Sequence, residues 1–442
     1  MMKNKFINKV NNRTLVIGVL GLGYVGLPLA EAFVRQNIRV IGFDVSKNRI
    51  KQIKSGVSGM NNFSDSRVVD MNSSGYFETT VDPKKLAEAD ALLICVPTPL
   101  DNYHRPDLSY VKQTCETIKK ILRPGHLIVL ESTTYPGTTR DIMAPILEES
   151  GLKGGQDFAL AYSPEREDPG NANYETSTIP KLVGADSSDE REMSIAVYDL
   201  IVETVMVPNT WTAEAAKLTE NIFRWVNIGL INELKLIFDK MDIDVWDVVK
   251  AASTKPFGYM AFYPGPGVGG HCIRVDPYYL TWKAREHGIS TRFIELAGEV
   301  NIAMPKYVVS RLMEELNSRH HKALSGSKIL VCGLSYKQDI NDIRESPSLE
   351  ILNILKSFGA KIDYYDPYIP SVPHLHDYPQ FEGMKSIEWS ETNLQKYDAA
   401  LIATGHSTVD YNRLIRCVPL MLDTRNVSKS LPDSLMHKVA KA

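Results

Sequence analysis

The sequence predicts an α/β protein with two mostly parallel sheets joined by a central helical domain that contains one long helix. Three observations support this fold class. Residues 14–44 place an apolar strand-type run, three glycines and a helical stretch in order, and residues 327–339 repeat the order of strand, glycine and helix. Between these segments, residues 209–240 carry apolar side chains at helical spacing. At 442 residues, the chain is also too long for one ordinary core.

The N-terminal glycines follow an apolar run, 15–20, and precede a helical stretch that we expect to end near Gln36. In such a turn the first glycine permits the tight bend, the second lets the backbone approach a pyrophosphate, and the third lets the helix pack against the strand. The next strand, 38–43, ends in Asp44, whose carboxylate is placed to bind the adenosine ribose and to repel a 2′-phosphate. These features predict a Rossmann-like domain that binds NAD rather than NADP. The alternative is a turn that only packs a helix. The three glycines are Gly21, Gly23 and Gly26.

Two further strand-type segments, 89–99 and 126–139, carry Thr98 and Thr133. The carboxyl ends of parallel strands form the ligand crevice of such a sheet, so both hydroxyls are candidate ligand contacts. In each case the alternative is a threonine that only caps its own backbone turn.

The segment AYSPEREDPGN, 161–171, is expected to close the last strand of the first domain. Glu165 and Arg166 would then face the same crevice as the two threonines, because they follow a strand of the same sheet. A surface turn with paired charges is the competing interpretation of these two residues.

The C-terminal third is predicted to form a second Rossmann-like sheet. One of its strands ends in Asp366, as the N-terminal strand ends in Asp44. Because the full glycine pattern is missing, we expect this domain to bind something other than a dinucleotide, and a nucleotide attached to the substrate is the economical hypothesis. A purely structural second domain is the alternative. The strands are expected within 327–339, 360–368, 397–408 and 420–426.

The central segment 209–240 is predicted to be one helix, capped by Asn209 or Thr210. At 1.5 Å per residue it would be about 45 Å long, enough to join two domains and to carry a dimer interface. Lys217 and Asn221 lie four residues apart on it and so project from one face. Pointed at the crevice, they would offer a cation and a neutral donor to one oxygen; the alternative is a solvated helix face.

The segment GPGVGGHCIRVDP, 265–277, places Cys272 directly after a glycine-rich loop. A cysteine there is either a buried hydrophobe or a nucleophile. Beside a nicotinamide cofactor a thiolate suits aldehyde oxidation, because it adds to the carbonyl and the adduct can then give up a second hydride. Asp276 on the same segment is placed to help activate the water that completes the reaction. The combination favours the nucleophile.

Composition narrows the functional classes further. With a net charge of −3, the chain lacks the positive electrostatic potential that attracts nucleic acid or an anionic membrane. Its five cysteines show no CxxC spacing, which argues against a disulfide framework and a zinc site. The first residues lack the apolar core of a signal peptide, and no apolar run is long enough to span a bilayer. We therefore expect a cytoplasmic protein without a bound metal.

Four motifs resemble those of the UDP-glucose/GDP-mannose dehydrogenase family, in the same order along nearly the whole chain: GLGYVGLPLA, EAAKLTEN, PGPGVGGHCIRVDPYYL and GLSYKQDINDIRESP. The resemblance implies an NAD-binding Rossmann domain over 1–208, a central helical and dimerisation domain with the cysteine loop over 209–318, and a nucleotide-sugar-binding domain over 319–442. It also implies NAD as cofactor, a UDP-sugar as substrate, and a homodimer or higher homo-oligomer as the assembly.

In this family the C6 alcohol of the sugar is oxidised to the acid in two NAD-dependent steps. The resemblance makes Cys272 the nucleophile that forms a thiohemiacetal and then a thioester. It assigns Lys217 and Asn221 to the developing oxyanion at C6, with Lys217 also a candidate proton carrier. Asp276 is assigned to activation of the hydrolytic water.

The resemblance also implies the remaining site residues. Thr133 and Glu165 orient the water or the base, and Lys337 and Arg344 serve either the substrate phosphates or the cofactor. The implied cofactor contacts are Gly21, Gly23, Tyr24, Val25, Gly26, Asp44, Arg49, Thr98, Thr133 and Arg344. The implied substrate contacts are Glu165, Arg166, Lys217, Asn221, Tyr259, Gly265, Gly269 and Lys337.

Two positions separate this chain from the UDP-glucose branch of the family. The stretch SPEREDPGN replaces a longer PEFLRE-like stretch and resembles the UDP-N-acetylhexosamine branch, in which Arg166 helps to read the altered sugar. Val275 stands where the UDP-glucose branch has a lysine, and Arg274 before it serves a pyrophosphate or lies on the surface. The chain is therefore expected to convert UDP-N-acetylglucosamine to UDP-N-acetylglucosaminuronate for bacterial surface polysaccharide.

Several alternatives stay open at this point. UDP-GalNAc and UDP-ManNAc differ from UDP-GlcNAc by the orientation of one group, which these motifs do not read, and UDP-glucose is a further alternative. A single-step hydroxyacid dehydrogenase would use Lys217 as base and leave Cys272 inert. A non-catalytic NAD sensor or scaffold would leave Lys217, Cys272 and Asp276 unexplained.

Overall fold

The computed structural model describes residues 2–60, 63–101, 103, 105–166 and 178–442, apart from the side chains of Met2, His271 and Cys272. The chain divides into two compact units, which are described separately below. The first unit comprises Met1–Glu220 and Tyr278–Ile289, and the second comprises Asn221–Pro277 and Ser290–Ala442. Two helices continue from one unit into the other, because the divisions at Glu220 and at Pro277 fall inside them.

The first unit is built on an eight-stranded sheet in its described part, with strand order β3-β2-β1-β4-β5-β6-β7-β8. All neighbours are parallel except β6 and β7. Strands β4 to β7 are buried at every position, as expected for a parallel sheet that is covered on both faces. The strands are β1 Val16–Leu20, β2 Arg39–Phe43, β3 Phe77–Thr80, β4 Ala91–Ile94, β5 Leu127–Leu130, β6 Ala159–Tyr162, β7 Lys181–Gly184 and β8 Thr204–Val207.

Some helices of the first unit, such as α3 and α7, begin at the polar residues that helix starts favour. The Ser46 side chain accepts the Arg49 N–H at 3.2 Å, and Ser187 forms a capping box with Glu190. Apolar side chains from these helices, such as Phe33 and Val197, complete the core against the sheet. The helices are α1 Met2–Asn11, α2 Gly26–Arg35, α3 Lys47–Lys54, α4 Asp65–Ser73, α5 Ser109–Lys119, α6 Ala144–Glu148 and α7 Ser188–Tyr198.

One expectation for the first unit is wrong. The segment 161–171 does not close the last strand, because β7 and β8 follow β6; its residues from 167 onwards lie outside the described residues. Both added strands are four residues long, and β7 pairs with β6 through the single antiparallel bridge of Tyr162 and Gly184. A four-residue apolar run does not distinguish a strand from a loop in the sequence.

Four helices follow the first sheet in the sequence: α8 Thr210–Lys240, α9 Val245–Ala252, α10 His271–Glu286 and α11 Arg292–His320. With 31 residues, α8 confirms the predicted long helix, and its length is roughly 47 Å. Its start follows the predicted cap, since the Asn209 side-chain oxygen accepts the Thr212 N–H at 2.8 Å. Trp225 on α8 donates its indole N–H to the Ile294 carbonyl of α11 at 3.0 Å, which joins the two longest helices within the second unit.

The second unit holds a five-stranded parallel sheet in its described part, with strand order β10-β9-β11-β12-β13. Together with α8 and the first sheet, it confirms the predicted α/β fold class. The strand β13 was not predicted; it is a fifth strand at one edge of this sheet. The strands are β9 Lys328–Cys332, β10 Lys361–Tyr365, β11 Ala399–Ile402, β12 Met421–Asp423 and β13 Val439–Lys441, and the helices are α12 Pro347–Ser357, α13 Glu391–Leu394 and α14 Tyr411–Cys417.

Within the described part of the chain, no helix has both the length and the apolar content required to cross a bilayer.

A buried carboxylate fixes the start of α8 within the first unit. Glu214 is fully buried and accepts the Gly137 N–H at 2.6 Å and the Thr139 N–H at 2.9 Å, at the start of the π-helical turn Thr138–Met143. Burial raises the pKa of Glu214 from 4.5 to about 7, against the lowering effect of these hydrogen bonds. The turn and the helix are therefore linked by a group that titrates near neutral pH.

Replacing Glu214 by glutamine is expected to remove a pH dependence of stability. Because the folded pKa of about 7 lies above 4.5, the native state binds this proton more tightly than the unfolded state. The associated stability, about 3 kcal/mol, is full below pH 4.5 and is lost as the pH rises through 7. The Tm of the wild type minus that of Glu214→Gln should therefore fall between pH 5 and pH 8. An identical Tm difference at both pH values would contradict this assignment.

Candidate functional site

The glycine turn of the first unit leaves room for a ligand at one position and none at the others. A Cβ on Gly26 would stand 1.9 Å from the Gly21 carbonyl oxygen, and Gly21 itself has φ +95°. Among the described residues, by contrast, no heavy atom lies within 4 Å of a Cβ built on Gly23. Gly21 and Gly26 are thus required by packing, whereas Gly23 keeps an open space over the start of α2. An approaching phosphate needs that space and the free N–H groups of a helix N-terminus.

The end of β2 supplies the acidic and basic residues predicted for this turn. Asp44 accepts the Leu22 N–H at 3.0 Å and the Ser46 N–H at 2.8 Å. Arg49 donates from Nε to the Leu22 carbonyl at 2.8 Å, and one of its terminal nitrogens is buried without a hydrogen-bond partner among the described residues. Burial lowers the pKa of Arg49. A buried donor without a partner costs free energy, so the turn, Asp44 and Arg49 together fit a dinucleotide.

The two predicted threonines follow neighbouring parallel strands of the first sheet. Thr98 comes after β4 and is buried, and its carbonyl accepts the Tyr279 hydroxyl at 2.8 Å. Thr133 comes after β5 and is half-buried. Ser132 beside it donates to the Val96 carbonyl at 2.6 Å, which ties the two strand ends together. Both threonines therefore lie at the sheet edge where a parallel sheet binds ligands.

Lys217 is tied to Glu165 within the first unit. The Lys217 ammonium donates to the Glu165 main-chain carbonyl at 2.6 Å, and the Lys217 side chain is only 7% exposed. The interpretation of Lys217 as part of a solvated helix face is therefore wrong. Its ammonium has three N–H donors, so further acceptors can be served from the same position.

Arg166 is held by an ion pair rather than turned to solvent. Its guanidinium contacts the Glu220 carboxylate at 2.7 Å and donates to the Pro180 carbonyl at 2.7 Å. The Arg166 main-chain N–H also donates to a carboxylate oxygen of Glu165 at 2.7 Å. Glu165 and Arg166 thus form one anchored turn after β6.

The second unit brings Asn221 and Asp276 together. The Asn221 side-chain amide donates to an Asp276 carboxylate oxygen, and both side chains are buried. Asn221 lies on α8 and Asp276 lies on α10, so the contact fixes these two helices against each other. The Cys272 backbone lies in the first turn of α10, four residues before Asp276, and its side chain lies outside the described part.

The glycine loop before α10 packs too closely against its neighbours for side chains. A Cβ on Gly269 would lie 2.5 Å from the Tyr336 Cβ, and one on Gly265 would lie 2.5 Å from a terminal nitrogen of Arg425. The Gly265 N–H donates to the buried Asn232 side chain at 3.0 Å. The backbone of this loop therefore packs directly against Tyr336 and Arg425, and the ligand contacts predicted for Gly265 and Gly269 stay predictions.

Arg425 is a candidate substrate residue that the sequence analysis missed. It is anchored by a hydrogen bond from Nε to the Ala403 carbonyl at 2.8 Å, and its terminal nitrogen lies against the backbone of Gly265. Burial lowers the pKa of its guanidinium from 12.5 to about 10. The sequence did offer a signal, since Arg425 follows β12 at a carboxyl strand end, where α/β sheets bind ligands.

Four other residues considered in the sequence analysis are not described in contact with the site residues above. Arg274 pairs with Glu345 at 3.0 Å, so it is neither free nor buried. Arg344 is exposed and donates to Asp342 at 2.7 Å. Lys337 is half-buried, and Tyr259 is exposed. Their predicted ligand contacts stay predictions.

The glycine turn of the second unit differs from the first at the residue that matters for phosphate. Ser335 occupies the place that Gly23 has in the first unit, three residues after the end of the strand. Asp366 accepts both the Leu334 N–H at 2.7 Å and the Ser335 N–H at 3.1 Å. Buried His406 lies 3.1 Å from the same carboxylate. Asp44 takes the corresponding Leu22 N–H in the first unit, so the difference between the turns is that Asp366 also takes the Ser335 N–H.

Three models of one family match the chain. Residues 15–202 match the NAD binding domain of the UDP-glucose/GDP-mannose dehydrogenase family, residues 211–303 match its central domain, and residues 330–430 match its UDP binding domain.

Known proteins are similar over most of the chain. A UDP-N-acetyl-D-glucosamine 6-dehydrogenase of Pseudomonas aeruginosa is 35% identical over 89% of this chain and 91% of that protein. A UDP-N-acetyl-D-mannosamine dehydrogenase of Campylobacter jejuni is 37% identical over 80% of this chain and 87% of that protein. The solved structure of a UDP-D-ManNAc dehydrogenase from Pyrococcus horikoshii has a TM-score of 0.86 at 32% identity, covering 97% of this chain and 99% of that one.

Proposed function

Because the chain belongs to the UDP-glucose/GDP-mannose dehydrogenase family, we propose that it oxidises the C6 alcohol of UDP-N-acetylglucosamine to the carboxylic acid. The protein is an NAD-dependent UDP-sugar dehydrogenase, and the observation that carries this is the match to an NAD binding domain and a UDP binding domain in one chain. The exact sugar, the four-electron course and the residue roles are the proposal.

The first unit supplies the residues that would hold the cofactor. When bound, NAD accepts the hydride that leaves the C6 carbon. The open space at Gly23 and the N-terminus of α2 suit the pyrophosphate, and Asp44 suits the ribose hydroxyls. Arg49 offers the buried nitrogen that lacks a partner among the described residues. Thr98 and Thr133 are proposed as further contacts at the same sheet edge.

The proposed oxyanion donors are Lys217 and Asn221 on α8. Lys217 uses one N–H for the Glu165 carbonyl and keeps donors for the C6 oxygen. Asn221 has its amide oriented by the hydrogen bond to Asp276. Donors that are already positioned stabilise a developing negative charge without a reorganisation cost. Lys217 is also the proposed proton carrier of the alcohol oxidation.

Cys272 is the proposed nucleophile of the second oxidation. Its thiol sulfur adds to the aldehyde carbon, the hydride of this thiohemiacetal leaves as the second reducing equivalent, and a thioester results. Water then attacks the thioester carbon, the sulfur leaves as the thiol, and the acid is released. Asp276, with Thr133 and Glu165, is proposed to orient and deprotonate that water. Two hydrides leave per alcohol, and one water is consumed.

The relatives support two substrates of the same class. The name of the Pseudomonas aeruginosa relative supports UDP-N-acetylglucosamine, which we propose as the substrate. The Campylobacter jejuni relative and the Pyrococcus horikoshii structure favour UDP-N-acetylmannosamine as a second candidate. The two sugars differ only in the orientation of the C2 amide. Arg166, anchored by Glu220, is the proposed reader of that part of the sugar.

We also propose the roles of the three segments and the assembly. Residues 1–208 would bind NAD, 209–318 would carry the cysteine loop and the dimer contact, and 319–442 would bind the nucleotide. Apolar side chains exposed at seven-residue intervals on α8 support a homodimer, since such a stripe favours helix pairing. They are Phe223, Leu230 and Ile237, each about half exposed. The cytoplasm is the proposed location.

NADH formation against a panel of UDP-GlcNAc, UDP-ManNAc, UDP-GalNAc and UDP-glucose tests the proposal. We expect kcat/KM for UDP-GlcNAc to exceed that for each other sugar by at least about tenfold, because one misplaced polar group leaves site donors unpaired. A preference for UDP-ManNAc would support the second candidate. No NADH from any of the four sugars would contradict the proposed function.

A further inference from the structure

A buried ion pair lies beside the Glu165 turn in the first unit. Glu131, directly after β5, is 1% exposed, and Lys181, the first residue of β7, is 5% exposed. The Lys181 ammonium lies 2.7 Å from a Glu131 carboxylate oxygen. The Tyr198 hydroxyl of α7 donates to the other oxygen of that carboxylate, so both oxygens of Glu131 are satisfied. Neither ion had been predicted to contribute to the site.

Such a pair is a poor way to gain stability alone. Each charge loses several kcal/mol of hydration on burial, and packed apolar residues often replace a buried ion pair at no loss of stability. Stability alone therefore does not account for a buried ion pair close in sequence to Thr133 and in contact with Glu165.

Lys181 also reaches the turn that carries Glu165. Its ammonium lies 3.8 Å from a Glu165 carboxylate oxygen and 3.4 Å from the Pro164 carbonyl. The main-chain carbonyl of Glu165 in turn accepts the Lys217 ammonium at 2.6 Å. Lys181 is thus a buried cation between two carboxylates, one of which lies on the turn that receives the proposed oxyanion donor.

The surrounding groups keep this cation charged. Burial acts to lower the pKa of Lys181, but Glu131 and Glu165 outweigh it and the pKa is raised. Burial raises the pKa of the Cys95 thiol and of the Tyr198 hydroxyl, so both stay neutral. Near Glu165 itself, Arg166 is paired with Glu220. Among the described residues, the charged groups around Glu165 include Lys181, Glu131, Arg166, Glu220 and Lys217.

We propose that Lys181 is a positioning residue of the dehydrogenase: anchored by Glu131, its ammonium holds the Glu165 carboxylate in place and fixes the turn that meets Lys217. This inference rests on the proposed function, because it concerns the water-orienting role assigned there to Glu165. It extends that function to two residues which contact neither substrate nor cofactor in the proposal.

The pH profile of kcat/KM distinguishes this role from a purely structural one. In Lys181→Met the site loses a buried positive charge, so the low-pH (acid) limb of the profile should move to higher pH by about half a unit to one unit. In Glu131→Gln the site loses a buried negative charge, so the acid limb should move to lower pH. Lys181→Arg should restore the wild-type limb. A structural role would lower kcat or Tm in all three without moving the limb.

Two further variants keep the test decisive. The double variant Glu131→Gln/Lys181→Met leaves neither partner of the ion pair as an unpaired buried charge, so it can be tested if Lys181→Met alone does not fold. Its acid limb should still lie at a higher pH than that of the wild type. Lys235→Met is the matched control, because Lys235 is also a buried lysine with a carboxylate partner, Asp239, in the second unit. Its acid limb should not move.

The outcomes separate the two proposals. Wild-type protein that forms no NADH from any UDP-sugar of the panel overturns the proposed function, and this inference falls with it. Active wild type together with folded, active Lys181 and Glu131 variants whose acid limbs coincide with the wild-type limb overturns this inference alone.

Discussion

Replacing Cys272 by serine is expected to lower the rate of acid formation from the UDP-sugar by at least about 10³-fold. The proposed second oxidation requires a sulfur nucleophile that adds to the aldehyde and then leaves from the acyl group, and an alkoxide leaves from an ester far less readily than a thiolate from a thioester. A serine ester that accumulates on the protein is the expected intermediate. Liquid chromatography with mass spectrometry of product and protein measures both quantities.

Cys417→Ser provides the control for this substitution, because Cys417 is half-buried in the second unit and lies outside the proposed machinery. It should form acid at the wild-type rate. If Cys272→Ser also kept the wild-type rate, with one NADH per substrate, the single-step dehydrogenase that uses Lys217 and leaves Cys272 inert would be the better account.

Replacing Gly26 by alanine is expected to have the second largest effect, through the backbone. The added Cβ would stand 1.9 Å from the Gly21 carbonyl oxygen and 3.2 Å from the Cys95 Cβ, and a backbone oxygen cannot rotate away as a side chain can. The turn and the start of α2 must therefore separate, so we expect a lower Tm and an NAD affinity reduced by at least about 100-fold. Thermal unfolding and calorimetric titration with NAD measure the two effects.

Gly23→Ala is the matched control for Gly26→Ala, since the same methyl meets no heavy atom of the described residues within 4 Å. Its Tm should equal that of the wild type. Its NAD affinity should still fall, because the methyl occupies the space through which a phosphate approaches the amides. A Gly26→Ala protein with unchanged Tm and unchanged NAD affinity would show that this turn is not the cofactor site.

Local sequence patterns predicted those parts of the fold that depend on neighbouring residues. The run before Gly21, the glycine turn and Asp44 lie within one short segment, and α8 repeats its apolar residues along 31 positions. Their structure follows from backbone geometry and periodicity, which the sequence displays directly.

Other parts depend on contacts between residues that are distant in the sequence. Glu131 and Lys181 are 50 residues apart, and nothing in either local segment indicates that they form a pair. Arg425 and Gly265 are also far apart in the sequence, and the fold of the second unit brings them into contact. A single sequence does not display such pairings, so these contacts were missed, whereas the residues within the motifs could be named as candidates.

The second glycine turn illustrates a contact that a single sequence does not display. The incomplete glycine pattern led us to expect a ligand other than a dinucleotide in this domain. The structure adds that Asp366 takes the Leu334 and Ser335 amides, with His406 beside the carboxylate. The protein's own carboxylate thus accepts the amide N–H that corresponds to that of Gly23 in the first unit.

The ratio of NADH formed to UDP-sugar consumed, measured in the presence of a carbonyl trap such as hydroxylamine, tests the four-electron oxidation most directly. Covalent retention of the aldehyde at position 272 predicts two NADH for each sugar from the first turnover onwards, with no trapped oxime. One NADH per sugar, together with the oxime of a free C6 aldehyde, would contradict it.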